Sequence, residues 1–208
     1  MTASRWKLTL LFAALMMTWS GSFNVVPGNA ADSGAIARAY FAGGCFWCME
    51  EAFEKVDGVI EAVSGYMGGT VKNPSYEEVS SGRTGHAESV EVRYDPAKVT
   101  YTQLLEAFWR NVDPVTPNAQ FCDHGNQYRA AIFYQGDEQK RLAEESKRAI
   151  EQSKRFQQPI VTEVVAASEF YSAEEYHQDF YKKNPIRYKY YKFTCGRAQR
   201  LESLWDKS

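Results

Sequence analysis

The sequence predicts a single domain of the α/β or α+β class with a mixed sheet. Predicted strands and helices alternate along almost the whole chain, which is the pattern that packs helices against a sheet. The 208 residues, of which 44% are hydrophobic, are enough for one sizeable core. One nearly continuous apolar run, residues 127–134, indicates a strand that is covered on both faces.

The first 30 residues predict a secretory signal peptide. Basic residues precede an apolar run at 8–19, and we expect cleavage near the small residues Ala30 and Ala31. The run is short for a membrane span, so we favour a cleaved signal. An uncleaved membrane anchor is the alternative. We therefore expect an exported protein, periplasmic or secreted, whose functional domain spans residues 36–208.

The segment around Cys45 places a thiol at the start of a predicted helix. A short apolar strand ends at a Gly-Gly pair, where the backbone can turn sharply. Unpaired N–H groups and the positive end of the helix dipole stabilise a thiolate at such a position. Cys45 is therefore predicted to be a nucleophile beside an apolar pocket of Phe46 and Trp47, and a buried structural cysteine is the alternative.

A second chemical group comes from the strand predicted at residues 86–94. Its apolar positions Val90 and Val92 alternate, so Glu88 belongs to the same face as the valines. A carboxyl group that points into a core has a raised pKa and stays protonated near neutral pH. Glu88 is thus a candidate proton donor, unless the strand begins only at Ser89 and leaves Glu88 solvated.

The remaining elements follow from periodicity and capping signals. Ser75, Thr100 and Asp137 are predicted to cap helices, and Ser172 is predicted to open a capped helix that contains a structural His177. A tail at 186–208 ends in a short amphipathic helix. Helices are predicted at 45–56, 74–79, 100–112, 137–153 and 172–183, and further strands at 59–66 and 160–165.

Four cysteines follow the predicted signal: Cys45, Cys48, Cys122 and Cys195. A Cys-x-x-Cys pair at a helix start is more typical of redox or metal chemistry than of a structural bridge. Zinc needs a second closely spaced pair of cysteine or histidine ligands, which the sequence does not supply in a standard spacing. We therefore expect no metal and no bound cofactor.

A series of short motifs lies along about residues 38–185. They are Gly44-Cys45-Phe46-Trp47 with Glu50, Gly65-Tyr66, Gly68-Gly69, Asn73-Pro74-Ser75-Tyr76-Glu77-Glu78-Val79, Gly85-His86-Ala87-Glu88, Asp95-Pro96, Asp113-Pro114, Asp123-His124-Gly125-Asn126-Gln127-Tyr128-Arg129, Phe170-Tyr171, Ala173-Glu174, His177 and Lys183-Asn184-Pro185. In these motifs the chain resembles the peptide methionine-S-sulfoxide reductases, the MsrA family. The collinear order makes the resemblance specific.

The resemblance implies an MsrA-type roll with a ferredoxin-like core, and an enzyme that reduces free and protein-bound methionine-S-sulfoxide to methionine. Cys45 would attack the sulfoxide sulfur while Glu88 protonates its oxygen, leaving a sulfenic acid on Cys45. Two aromatic rings would hold the substrate's methyl group, two tyrosines its oxygen, and one aspartate would orient it. The substrate-binding residues so implied are Phe46, Trp47, Tyr76, Tyr128 and Asp123.

A second thiol must then convert the sulfenic acid into an intramolecular disulfide. The chain departs here from the common family pattern, because Cys48 stands where many relatives carry glycine and the tail has a single cysteine, Cys195. We favour Cys195 as the resolving residue over Cys48, with Cys122 behind both. The family implies recycling of the disulfide by thioredoxin or a thioredoxin-like reductant.

Other classes of function stay open. Cys45 and Cys48 would suit a thiol–disulfide oxidoreductase, and the fold would also suit a non-catalytic module that binds oxidised methionine side chains. A cysteine protease would use one of His86, His124 and His177 as a base, and none of the three is diagnostic. The formal net charge of −2 disfavours a nucleic-acid partner. We expect a monomer that repairs oxidised proteins and peptides under oxidative stress.

Overall fold

The computed structural model describes residues 34–206, in which helices pack on a central sheet. The predicted signal peptide, residues 1–30, lies outside the described residues. The strands are β1 (Ala37–Gly43), β2 (Val59–Met67), β3 (Ala87–Tyr94), β4 (Ala119–Gln120), β5 (Asp123–His124), β6 (Ala130–Tyr134), β7 (Glu163–Ala166) and β8 (Tyr171–Ser172). The helices are α1 (Phe46–Glu54), α2 (Tyr76–Ser80), α3 (Tyr101–Arg110), α4 (Gly136–Gln152), α5 (Phe180–Lys183), α6 (Pro185–Thr194) and α7 (Arg197–Trp205), with a 3-10 helix at Asn126–Tyr128.

Six strands form one sheet in the order β7-β6-β1-β3-β2-β8, and β4 pairs with β5 in a separate hairpin. Neighbours in the large sheet are antiparallel except β6 and β7, which are parallel and connected through α4. The predicted α/β class with a mixed sheet is confirmed. No helix within residues 34–206 is long and apolar enough to cross a membrane.

Aromatic stacking on the central strand β1 fixes the position of α1. Phe41 of β1 is fully buried, and its ring stacks on Phe53 of α1 and Phe108 of α3 at centroid distances of 4.8 and 5.3 Å. Buried aromatic pairs of this kind add about 0.5–1.5 kcal/mol each beyond the area that they bury. The helix α1, which follows Cys45, is therefore held against the middle of the sheet.

The register of β3 confirms the predicted inward position of Glu88. The strand begins at Ala87, and Glu88 pairs with Tyr66 of β2, so it is not a solvated loop residue. Glu88 and Val90 are both buried on the alternating face, at 3% and 0% exposure. The alternation of side chains between the two faces of a strand was thus sufficient to place the carboxyl group.

The helix predicted at 172–183 is wrong for most of its length. Ser172 belongs to β8, and only Phe180–Lys183 is helical. Tertiary hydrogen bonds replace the helix, because the Glu174 carboxylate accepts from the Tyr76 amide and the Tyr66 hydroxyl, each at 2.8 Å. The left-handed backbone of Asp179, with φ of 53°, then ends the turn region before α5.

Smaller corrections concern element ends and the tail. Asp137 lies in the first turn of α4 rather than capping it, because the helix already begins at Gly136. The strand predicted at 160–165 begins only at Glu163. The tail holds two helices instead of one, α6 and α7, which meet at the left-handed Gly196. By contrast, the predicted capping boxes of Ser75 and Thr100 are confirmed.

We predict that Gly44→Ala destabilises the fold by more than the cost of placing an alanine in a left-handed backbone conformation. Gly44 has φ of +79°, and an added Cβ would lie 2.5 Å from the Cβ of buried Gln120. Gly136→Ala is the matched control, because Gly136 also has positive φ but open space around it. Urea denaturation should show an additional loss of unfolding free energy of about 1–3 kcal/mol for Gly44→Ala, as for overpacked sites. Equal losses in both variants would contradict close packing at this turn.

Candidate active site

Cys45 is the N-terminal cap residue of α1, directly after the sharp turn at Gly44. Its carbonyl oxygen accepts hydrogen bonds from the amides of Cys48 and Met49, at 3.1 and 3.4 Å, which begin the helix. The residue is 6% exposed. The sequence expectation of a thiol at a helix start is therefore confirmed in its geometry.

A cavity of about 70 Å³ lies beside Cys45. Its volume suits a group of a few non-hydrogen atoms rather than a large ligand. A larger cavity of about 800 Å³ lies between α3 and α4 and shares no residue with it. The small cavity is lined by Cys45, Phe46, Trp47, Tyr76, Glu88, Asp123, Tyr128 and Tyr191. Every residue that the sequence assigned as nucleophile, acid or substrate contact is in this set.

Glu88 supplies a neutral acid to the cavity. Its Oε2 accepts a hydrogen bond of 3.0 Å from the Phe46 amide, the first N–H of α1. Burial, with a smaller contribution from the charge of Asp123, raises the pKa of Glu88 to about 8 in spite of that hydrogen bond. The carboxyl group is therefore protonated at pH 7 and can donate its proton within the cavity.

Cys45 and Cys48 are free thiols one helical turn apart, and their pKa values are shifted in opposite directions. Burial and the neighbouring Cys48 raise the pKa of the Cys45 thiol. A hydrogen bond from Cys45 and the nearby cations Arg197 and Lys192 lower the pKa of Cys48 to about 6. The helix N-terminus was expected to favour a thiolate on Cys45, whereas burial raises the pKa of that thiol and the pKa of Cys48 is the lower of the two.

The aromatic wall of the cavity is fixed by stacking and one hydrogen bond. The indole of Trp47 stacks on Phe180 with a centroid distance of 3.7 Å, and its Nε1–H donates to Nδ1 of His177 at 3.1 Å. His177 is buried against Phe46, and burial lowers its pKa, so it is a neutral acceptor here. The structural role predicted for His177 matches these contacts.

Two phenols face the cavity from separate elements. Tyr76 begins α2, just after its cap Ser75, and Tyr128 ends the 3-10 helix. Burial and the nearby Glu88 raise the pKa of Tyr76 to about 12, and burial raises the pKa of Tyr128 still further. Both hydroxyls therefore remain protonated and available as hydrogen-bond donors.

Tyr191 is the cavity residue that the sequence reasoning missed. Its hydroxyl donates to Oδ2 of Asp123 at 2.5 Å, and this hydrogen bond counteracts the burial that raises the pKa of Asp123. Tyr191 lies on α6, within the segment that was predicted as a tail. The spacing of Tyr188 and Tyr191, three residues apart, was the available signal, because it marks one face of a helix.

Cys122 and Cys195 form a disulfide across 73 residues. The bond joins the residue before Asp123 to the C-cap of α6, one turn beyond Tyr191. Cys195, the favoured resolving residue, and Cys122, the third candidate, are thus bonded to each other. Cys122, Asp123 and Cys195 also lie close enough together to resemble a metal site, but their sulfurs are joined and do not offer two thiolates.

Comparisons with known proteins converge on one family. The family model described as peptide methionine sulfoxide reductase matches residues 37–208. The peptide methionine sulfoxide reductase MsrA of Listeria innocua is 48% identical over 171 residues, which cover 82% of this chain and 97% of the relative. That of Halalkalibacterium halodurans is 49% identical over 172 residues, covering 83% of this chain and 98% of the relative.

Solved structures show the same fold. The reduced form of Mxr1 from Saccharomyces cerevisiae superposes with a TM-score of 0.69 at 32% identity, covering 74% of this chain and 88% of that one. Methionine sulfoxide reductase A of Corynebacterium diphtheriae gives a TM-score of 0.65 at 34% identity, covering 74% and 77%. Mxr1 in complex with Trx2 is similar in fold, with a TM-score of 0.51 at 22% identity, covering 72% and 87%.

Proposed function

The chain belongs to the peptide methionine sulfoxide reductase family, an oxidoreductase family, and we propose that it reduces methionine-S-sulfoxide through a sulfenic acid on Cys45. The observation that carries the proposal is the meeting of Cys45 and the neutral acid Glu88 in one small aromatic-lined cavity. A nucleophilic sulfur and a proton donor are the two groups that sulfoxide reduction needs, because the oxygen leaves only when it is protonated.

In the first half-reaction the Cys45 sulfur attacks the sulfoxide sulfur. The Cys45 proton passes to the thiolate of Cys48, whose pKa is lowered to about 6, and Glu88 gives its proton to the sulfoxide oxygen. The S–O bond of the substrate breaks and the hydroxyl group ends on Cys45. The products are methionine, reduced by two electrons, and Cys45 sulfenic acid, oxidised by two.

The cavity walls support recognition of a single epimer, free or within a protein. Phe46 and Trp47 are held rigidly and offer an apolar surface for the methyl group. Tyr76 and Tyr128 offer protonated hydroxyls to the oxygen, and Asp123 is fixed by Tyr191 for orienting the substrate. Since methyl and oxygen sites are both fixed, only one arrangement around the sulfur brings its oxygen to Glu88, and we assign this to the S epimer.

Two features support Cys48 as the resolving thiol in place of the initially favoured Cys195. Cys48 is a free thiol one helical turn from Cys45, whereas Cys195 is already bonded to Cys122. Cys45 is a cap residue outside the regular helix, which eases the geometry of a disulfide to the first turn. Cys48 would attack the sulfenic sulfur, and its proton would leave with the hydroxyl group as water.

Thioredoxin or a thioredoxin-like protein is the reductant that we propose for the resulting disulfide, with no bound cofactor. The fold similarity to Mxr1, which has been solved in complex with Trx2, is compatible with this partner. The apolar run at residues 8–19 motivates the proposal that the enzyme acts on oxidised proteins and peptides outside the cytoplasm. We also propose that it is a monomer.

Turnover with resolved sulfoxide epimers tests the function. With dithiothreitol as reductant, the protein should reduce the S epimer of free and peptide-bound methionine sulfoxide and leave the R epimer, measured by chromatography. Cys45→Ser should abolish the reaction, because Cys45 is the cysteine that lines the cavity. Failure to reduce either epimer, with reduction of protein disulfides instead, would favour a thiol–disulfide oxidoreductase. Tight binding without turnover would favour a binding module.

For Glu88→Gln we expect the single-turnover formation of methionine to slow by about 10²-fold or more, as for loss of a general acid. The wild-type rate should fall as pH rises through about 8, where Glu88 ionises, and the variant should lack this dependence. Glu91→Gln is the matched control, because Glu91 is buried on the same strand but on the opposite face. An unchanged single-turnover rate in Glu88→Gln would refute the acid role.

Cys48→Ser should separate methionine formation from disulfide formation. Without reductant, the variant should form one equivalent of methionine, more slowly because the Cys48 thiolate no longer accepts the Cys45 proton. It should retain a sulfenic acid on Cys45 that dimedone traps, because a serine hydroxyl cannot resolve it. Cys195→Ser should still form the Cys45–Cys48 disulfide, seen by mass spectrometry of peptides. Detection of a Cys45–Cys195 disulfide in the wild type, with normal thioredoxin-driven turnover of Cys48→Ser, would restore Cys195 as the resolving residue.

A further inference from the structure

Glu50 is the residue of the Cys45 motif to which the proposed reaction gives no task. It lies on α1 and is only 1% exposed. Its Oε1 accepts a hydrogen bond of 2.7 Å from the backbone amide of Asp179, and its Oε2 accepts one of 2.8 Å from the hydroxyl of Ser64. A carboxyl group is costly to bury, and here both of its oxygens are used to join α1 to other parts of the fold.

The amide of Asp179 belongs to a turn at residues 177–180 that side-chain hydrogen bonds hold in place. Asp179 has a left-handed backbone, with φ of 53°. A residue other than glycine keeps such a conformation only where its surroundings fix it. The side chain of Gln178 accepts from the Ser64 amide at 3.0 Å and donates to the Ser64 carbonyl oxygen at 2.9 Å. Because Glu50 binds both the Asp179 amide and the Ser64 hydroxyl, it joins the turn to α1 and β2 at once.

The same turn supports the aromatic wall of the small cavity. The ring of His177 has centroid distances of 4.9 Å to the ring of Phe46 and 4.4 Å to that of Tyr76. Trp47 donates its indole N–H to His177, and its ring stacks on Phe180. Three of the residues that line the cavity, Phe46, Trp47 and Tyr76, therefore rest on the first and last side chains of the turn.

Glu50 fixes the turn at a point between the two contacts of the indole. Glu50 and Trp47 are three residues apart on α1 and share one face of the helix. Trp47 contacts the turn at His177 and at Phe180, and Glu50 binds it at Asp179. Without Glu50, the left-handed amide loses its partner, and the two rings that hold the indole are free to move with the relaxed backbone.

We propose that Glu50 is a positioning residue for the wall that receives the methyl group of the substrate. It locks residues 177–180 in the turn that holds the Trp47 indole, and it thereby sets the size of the group that the cavity accepts on the substrate sulfur. The cavity of about 70 Å³ has little spare room, so a small shift of the indole alters which group fits. The effect on substrates rests on the proposed function, whereas the locking of the turn does not.

The role depends on the reach of the Glu50 side chain and not on its charge. Both hydrogen-bond partners are neutral groups. Burial raises the pKa of Glu50 to about 7, so ionised and neutral forms coexist near neutral pH, and each keeps an oxygen that accepts from the Asp179 amide. Glu50→Gln retains such an oxygen at the same reach. Glu50→Asp retains the carboxylate but withdraws it by one methylene, so the two variants separate reach from charge.

Competition between two sulfoxides measures the size of the group that the cavity accepts. The S epimers of methionine sulfoxide and its S-ethyl analogue, ethionine sulfoxide, are mixed in equal excess with the protein without reductant, and chromatography measures the methionine and ethionine formed in one turnover. Their ratio is independent of how much of the protein is active. Glu50→Asp and Glu50→Ala should lower the preference for methionine sulfoxide by about fivefold or more, since one methylene is worth roughly 10- to 200-fold in a hydrophobic pocket. Glu50→Gln should keep the wild-type ratio.

Glu91→Asp is the matched control, because Glu91 is also buried but binds Tyr40 and Arg93 on the other face of the sheet. Its product ratio should equal that of the wild type. Wild-type ratios in Glu50→Asp and Glu50→Ala would overturn the proposal, and so would a wild-type ratio in Glu50→Asp beside a shifted one in Glu50→Gln, because charge would then matter. A shift in Glu91→Asp as large as that in Glu50→Asp would also overturn it, since any loosening of the core would then have the same effect.

Hydrogen exchange of the Trp47 indole tests the locked turn without a sulfoxide and without Glu50→Ala, should that variant not fold. The indole resonance, assigned by its absence in Trp47→Phe, should exchange at least about tenfold faster in Glu50→Asp, because local opening of the turn breaks the bond to His177. Glu50→Gln should exchange at the wild-type rate. The indoles of Trp109 and Trp205, which donate elsewhere, should be unaffected in both variants.

Equal exchange of the Trp47 indole in the wild type and Glu50→Asp would overturn the proposal. Equally accelerated exchange of all three indoles would overturn it as well, because the loss would then be global. Wild-type protein that forms neither methionine nor ethionine would contradict the proposed function, and the exchange rates would still decide whether Glu50 locks the turn.

Discussion

The amide of Phe46 donates a hydrogen bond to the buried carboxyl group of Glu88, and the active site depends on this contact. It joins the first residue of the helix that carries both free thiols to the central strand that carries the acid. Stacking of Phe41 on Phe53 holds the helix at the depth where the contact can form. Because Glu88 is buried, the contact does not ionise it, and the proton stays available beside Cys45.

The site combines a neutral acid with a thiol pair that carries one charge. Glu88 is kept protonated by burial, while Cys48 is kept ionised by Cys45 and nearby cations. Environments that drive ionisable groups in opposite directions are the usual means of running acid and base steps at one pH. In the proposed mechanism, Cys48 takes the proton of Cys45 and then, once Cys45 is oxidised, is the resolving nucleophile.

Local sequence patterns were sufficient for the parts of the fold that local physics determines. Alternation placed Glu88 on the buried face, and a capping box placed the start of the helix that carries Tyr76. The failures came where contacts distant in sequence decide the structure. Glu174 bonds to Tyr66 and Tyr76 about 100 residues away, and these bonds replace the predicted helix. No periodicity within residues 172–183 reports them.

The C-terminal segment contributes more to the site than its sequence suggested. Tyr191 fixes Asp123, and Arg197 lies against the turn before Cys45, yet both belong to residues first described as a tail. Their positions follow from the docking of two short helices and from a disulfide across 73 residues. A disulfide pairing of this kind cannot be deduced from spacing alone, since four cysteines allow three connectivities.

Carbon-13 NMR of the protein with labelled glutamate carboxyl groups tests the central claim most directly, namely that Glu88 is a neutral acid at pH 7. Difference spectra against Glu88→Gln and Glu50→Gln separate it from Glu50, whose pKa burial raises to about 7. We predict that the Glu88 resonance titrates near pH 8, so that its chemical shift at pH 7 is that of a carboxylic acid. A Glu88 resonance that titrates near 4.5, the ordinary value, would contradict the account.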